Sequence, residues 1–194
     1  MRLRVVERGH RLTQRLILTL FPLLVRTRPT DFTRILLYRP ELFGKPFGRY
    51  AQVALRGASS WSVGERELFG AYTSAHNDCE FCTDLHCSIA SRALGRDDVR
   101  TLVTAASTAD LRPQVAAMLG FLGCLAADPS SLSAADLEPL RAVGLSDRAI
   151  LEAVHAGTVL AIANRVVNAL DARVAPPPQR DRIATLLLNR GYDL

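Results

Sequence analysis

Lysine is almost absent from this chain: Lys45 is the sole lysine among 24 basic residues, so arginine carries the positive charge. That bias, shared with an abundance of alanine, reflects genomic base composition rather than a function. Cysteine is also scarce. Four cysteines in 194 residues do not make a disulfide framework. Two of them, Cys79 and Cys82, stand three positions apart, which fits a reducing, cytoplasmic compartment with one reactive pair. No segment shows sustained period-two alternation with β-branched enrichment, so a sheet protein is excluded. No aromatic-interleaved basic patch or recognised DNA-binding motif is present, so no nucleic-acid partner is expected. The apolar run Leu16 to Val25 is shorter than the ~20 residues a bilayer span requires. It contains Pro22 and runs into Arg26-Thr27-Arg28-Pro29 with no small-residue cleavage site, so it is not expected to be a secretory signal.

What remains is a globular composition. The mean hydropathy is +0.11 and 48% of the residues are hydrophobic, which argues against disorder. The length suits one domain with a real core. Charge is uneven. Residues 1–57 carry twelve basic side chains against Glu7, Asp31 and Glu41, a net of +9, which leaves −4 for the remainder of a chain whose total is +5. The expected organisation is a basic, partly apolar arm over residues 1–28 and a helical domain over 29–194. The arm is expected to dock on the domain or on a second subunit, with peripheral membrane contact as the other use of an Arg-flanked apolar helix.

The spacing predicts helices almost throughout. One starts at Asp31 and is interrupted by Pro40, and another runs from Glu41 to Arg56. Ser62-Val63-Gly64-Glu65 has the form of a capping box and predicts a helix carrying Glu67, Leu68, Ala71, Tyr72 and Ala75. His76-Asn77-Asp78 breaks it. Asn77 or Asp78 is expected to cap the next helix, with Cys79 and Cys82 in its first turn and Gly95 as its stop. A short helix is expected over 97–107 and another from Pro113 to Leu125. Ser133 and Ser146 cap two more, the second reaching Leu170. Ala175-Pro176-Pro177-Pro178 connects to a last helix, Ile183 to Asn189.

One constellation carries chemistry. Cys79, Cys82 and His86 fall at i, i+3 and i+7, one stripe of a helix, and Glu67 lies on the helix before. Thiols near a helix N-terminus meet unsatisfied N–H groups and the positive end of the dipole, which favours thiolate. A dithiol, a base and a carboxylate are the parts needed for thiol redox chemistry. Substituting Glu67 or His86 conservatively is expected to keep the fold, as in a polar pocket.

Glu67, Cys79, Cys82 and His86, spaced Glu-x11-Cys-x2-Cys-x3-His, resemble the signature of the alkylhydroperoxidase D-like branch of the carboxymuconolactone decarboxylase superfamily. Tyr38-Arg39-Pro40-Glu41-Leu42, Trp61 to Leu68, Ala134 to Leu137, Gly144 to Asp147 and Ala163 to Val166 extend the likeness over roughly residues 30–190. The resemblance implies an all-α, oligomeric helical bundle. It implies thiol-dependent reduction of organic or hydrogen peroxides with no cofactor or metal, and electrons from a lipoyl-type or thioredoxin-like dithiol partner. By resemblance Cys82 attacks the peroxide, Cys79 resolves the sulfenic acid and meets the reductant, and Glu67 with His86 relays protons. Some relatives carry a second histidine between the cysteines. Phe81 stands there, and His76 is either its substitute or a polar turn residue.

Other readings compete. A lyase or isomerase would use Glu67 and His86 without thiol chemistry, and a redox sensor or binding protein would use the pair without turnover. Zinc would need Cys87 beside His86, yet adjacent helical residues point about 100° apart. Cys87 and Cys124 are expected as small core residues. His155 is expected as a hydrogen-bonded core or interface residue, Asn164-Arg165 as a packing or subunit-contact pair, and Tyr72 and Trp61 as packing aromatics.

Overall fold

Thr30, Ser62 and Ser146 each place a hydroxyl on the amide three residues on, at 3.1, 3.2 and 3.2 Å, and each starts a helix. The computed structural model describes residues 1–106, 108 and 110–193. Within them the order is α1 (Arg4–Arg8), α2 (Leu12–Val25), α3 (Asp31–Tyr38), α4 (Lys45–Arg56), α5 (Val63–His76), α6 (Glu80–Leu94), α7 (Val99–Ala105), α8 (Pro113–Ala127), α9 (Glu138–Ala142), α10 (Asp147–Leu170) and α11 (Pro177–Arg190). There is no strand among the described residues. The expected all-α architecture is observed.

The centre of the bundle is α5. Glu65 Oε2 accepts the Ser62 amide at 2.8 Å and completes the capping box. From Arg66 to Ser74 every residue is buried, because α6, α8 and α10 surround this helix. A Cβ on Gly70 would sit 2.9 Å from Leu160 Cγ, so glycine is what lets α5 and α10 approach. Leu68, Phe69, Leu119, Leu122, Val159 and Leu160 fill the core between them. Each such side chain contributes about 1.5–3 kcal/mol by leaving water. At 24 residues α10 is long and apolar enough to cross a membrane, but it lies in the core with Ala153, Ala156, Gly157 and Ala163 buried.

Several boundaries differ from expectation for local reasons. A wide turn of π type over Pro40–Gly44, with Lys45 N–H bonded to Pro40 C=O, separates α3 from α4. The helix expected from Glu41 therefore starts at Lys45. Pro177 takes the first turn of α11, where its missing N–H costs nothing, so that helix starts earlier than Ile183. The end expected at Ser107 lies outside the described residues.

The arm is only partly separate. Arg2 N–H donates to Leu170 C=O at 2.7 Å, and its guanidinium donates to the carbonyls of Asn168 and Ala169, closing the C-terminal end of α10. Val6 and His10 are buried, and His10 Nε2 bonds the Arg34 carbonyl at 2.9 Å. By contrast, α2 buries no residue fully. Leu18, Phe21 and Val25 face inward, while Leu12, Leu16, Leu20, Leu23 and Leu24 are exposed, Leu12 and Leu24 by 82%.

Candidate active site

The junction between α5 and α6 builds the thiol pair. Asp78 adopts a left-handed conformation (φ +50°), and the Cys79 amide donates back to the Ser74 carbonyl at 2.9 Å. The turn is therefore one residue longer than expected. Cys79 itself takes the capping position, α6 starts at Glu80, and Cys82 occupies the third helical position. Both thiols are free and buried.

Their acidities part. The hydrogen bond from the Cys82 side chain holds the Cys79 thiol below its ordinary pKa. The same contact pushes Cys82 well above its ordinary value, and burial adds to it. Burial also drives the Cys87 thiol up to about 12. Cys79 is thus the more acidic of the two thiols.

Glu67 projects from α5 and is fully buried. Its Oε2 accepts from His86 Nδ1 at 2.6 Å. Its Oε1 accepts from Arg56 at 2.6 Å and from the Tyr192 hydroxyl at 2.8 Å. Burial alone would raise the carboxyl pKa. The charge and hydrogen bond of His86, the charge of Arg56 and the Tyr192 bond outweigh it and hold Glu67 below its ordinary value. With Nδ1 donating to Glu67, His86 keeps Nε2 free to accept or release a proton. His86 is one helical turn beyond Cys82 on α6, so the base and the weaker acid share a face. No hydrogen bond joins His86 to either cysteine among the described residues.

The fold has solved counterparts, although no protein-family model and no curated protein matches the sequence. An uncharacterized peroxidase-related protein from Silicibacter sp. TM1040 superposes with a TM-score of 0.75 at 19% identity, covering 86% of this chain and 87% of that one. An uncharacterized peroxidase-related protein from Ralstonia eutropha JMP134, an alkylhydroperoxidase AhpD core, gives 0.74 at 22% identity, covering 89% and 90%. The fold is that of the alkylhydroperoxidase AhpD core.

Within this AhpD-core bundle, a cleft of about 470 Å³ opens beside the thiol pair. It is lined by His76, Asp78, Cys79, Glu80, Thr83 and Val103, among others; Cys82 and His86 are not part of its wall. His76 stands exposed in it, its ring tilted 39° against that of Tyr72 with centroids 4.4 Å apart, and its Nδ1 bonds the Tyr72 carbonyl. Cys79, itself 0% exposed, lies in the cleft wall, and Cys82 precedes His86 by one helical turn on α6. Among the described residues no group of three His, Cys, Asp or Glu side chains is placed to hold a metal ion.

The remaining candidates separate cleanly. Trp61 is buried, donates Nε1–H to Ala149 C=O at 2.7 Å and packs edge-on against Phe69. Asn164 is buried and accepts from Ser74 Oγ at 3.1 Å, so it ties α10 to α5, whereas Arg165 is exposed and bonds its own helix. One expectation needs correction. Cys124 is exposed, because its face of α8 points away from the core. His155 is hydrogen-bonded as expected, its Nδ1 to the Tyr50 hydroxyl at 2.9 Å, and it lies on the exposed side of α10. Two side chains of the carboxylate network, Arg56 and Tyr192, were not anticipated. Arg56 is the last residue of α4, and Tyr192 follows a helix-stopping glycine. Both are faint signals until Glu67 is known to be buried.

Proposed function

We propose that the protein is a thiol-dependent peroxidase that reduces hydrogen peroxide or organic hydroperoxides. The observation that carries this reading is the match between need and supply. The thiol that its neighbour Cys79, with burial adding to it, makes the weaker acid, Cys82, lies one helical turn from a buried Glu67–His86 pair. The thiol already disposed to ionise, Cys79, lies on the open cleft.

The steps follow. His86, supported by Glu67, accepts the Cys82 proton. The Cys82 thiolate attacks one peroxide oxygen, the O–O bond breaks, and the departing alkoxide takes the proton back from His86 as alcohol or water. Cys82 is left as a sulfenic acid. The Cys79 thiolate attacks that sulfur and expels hydroxide, which is protonated to water, and a Cys79–Cys82 disulfide forms. A lipoyl-type or thioredoxin-like dithiol then enters the cleft and attacks Cys79. Cys82 leaves as thiolate and is reprotonated by the relay. The second thiol of the donor closes its own disulfide and frees Cys79. Low acidity makes Cys82 a poor leaving group on its own, so the relay serves both halves of the cycle.

Steady-state peroxide consumption with dihydrolipoamide as the electron donor tests the proposal. Turnover is expected to require both donor and peroxide and to vanish after alkylation of the cysteines. Consumption that survives full alkylation, or no consumption with any dithiol donor, would overturn it.

A further inference from the structure

Past α11, residues 191–193 form a turn that reaches back into the buried carboxylate site. After α11, Gly191 takes φ +76°, and a Cβ there would sit 2.1 Å from Gln52 Oε1. That same Gln52 oxygen accepts the Tyr192 amide at 2.8 Å. Glycine therefore permits a turn that α4 then clamps. Gly48, a turn earlier on α4, lies against the Tyr192 carbonyl, 3.1 Å from where a Cβ would be. The Tyr192 ring is thereby delivered between two site residues. The Arg56 guanidinium stands 4.9 Å from its centroid. The His86 ring stacks nearly parallel to it, 6.3 Å between centroids and 12° between planes.

The carboxylate divides its oxygens. Oε1 takes Arg56 and Tyr192, and Oε2 takes His86 alone. A fully buried carboxylate with one partner could rotate or protonate; with Oε1 held by two donors, Oε2 has a single orientation. Burial first, and then the Glu67 charge, push the Tyr192 phenol well above its ordinary pKa, so the hydroxyl stays a donor across the working range.

Resting on the peroxidase reading, we infer that Tyr192 is a positioning residue of the proton relay, its hydroxyl and ring fixing Glu67 and His86 in register from the C-terminal turn. It touches no substrate and acts through the carboxylate.

Tyr192→Phe isolates the hydroxyl. It keeps the ring between Arg56 and His86 and leaves the backbone bond to Gln52 intact. The acid limb of the rate of peroxide-driven thiol loss is expected to move up by about one pH unit, because a hydrogen bond to an ionised carboxylate is lost. The Glu67 carboxyl, followed by carbon NMR in the full-length protein, is expected to titrate higher by the same amount. Gly191→Ala, which displaces the tail from Gln52, is expected to give the same direction of shift while leaving the phenol chemically intact. An unchanged acid limb together with an unchanged Glu67 titration in Tyr192→Phe would overturn the inference. If the wild-type protein loses no thiols to peroxide, the peroxidase reading fails separately, and the carboxyl titration alone still decides whether Tyr192 governs Glu67.

Discussion

Cys82→Ser is expected to abolish peroxide consumption, whereas Cys79→Ser is expected to consume one equivalent and stop. The two thiols differ in what they lack. Cys82 is buried and pushed up by its neighbour, and it has the Glu67–His86 pair one turn away. Cys79 lines the cleft and has its proton loosened by Cys82. Removing Cys79 also removes the contact that weakens Cys82 most, so Cys82 should remain reactive and come to rest as a sulfenic acid with nothing to resolve it. A sulfenic-acid probe followed by peptide mapping reads this out. Sulfenic acid on Cys79 in the Cys82→Ser protein, with turnover of that single equivalent at the wild-type rate, would reverse the two roles.

The second large effect concerns Glu67. On the sequence alone, Glu67→Gln reads as harmless to the fold. The buried network changes that expectation. Glutamine leaves the Arg56 charge, itself 9% exposed at the side chain, without its counter-ion. Breaking one side of a buried pair costs about 3–5 kcal/mol, a fall in melting temperature on the order of 10 °C for a chain of this size. His86→Gln keeps the Glu67–Arg56 pair and should be milder. Both variants, assayed well below their melting points, are expected to lose on the order of 10²-fold in thiol oxidation rate. The pH profile of thiol alkylation should move up in both, since a charged His86 stabilises a neighbouring thiolate. Rates and profiles equal to wild type at full folding would make the pair purely structural.

Stability against pH supplies a check without any peroxide. The folded-state pKa of Glu67 is held below its unfolded value. Its contribution is therefore complete above about pH 4.3, the ordinary glutamate value, and is lost as pH falls through the lower folded value. Glu67→Gln should lack that part of the acid-side decline. A melting temperature that falls with acid equally in both proteins would contradict the assignment.

The parts of the site that local rules govern were legible in the sequence. Ser62 and Glu65 announce α5, Gly95 ends α6, and the i, i+4 spacing puts Cys82 and His86 on one face of α6 before any tertiary contact is known. Glu67 was legible as a partner because its helix leads directly into the turn that carries the cysteines. The left-handed Asp78 was not, since aspartate serves a cap as well as a tight turn, and one residue of difference moves Cys79 from the helix to its cap. Arg56 and Tyr192 reach Glu67 from 11 and 125 positions away through packing alone, which no spacing encodes. The same limit applies to α2. Its apolar content is plain in the sequence, but its exposure appears only once the rest of the bundle has packed without covering it.

The central claim is that Cys79 and Cys82 form one redox couple. Stopped-flow oxidation of the reduced protein by a single equivalent of peroxide, quenched with an alkylating agent and mapped by mass, tests it most directly. The account predicts loss of two thiols per peroxide, an intramolecular Cys79–Cys82 disulfide, and Cys87 and Cys124 still carrying the alkyl label. Cys79 and Cys82 both alkylated after excess peroxide would contradict it.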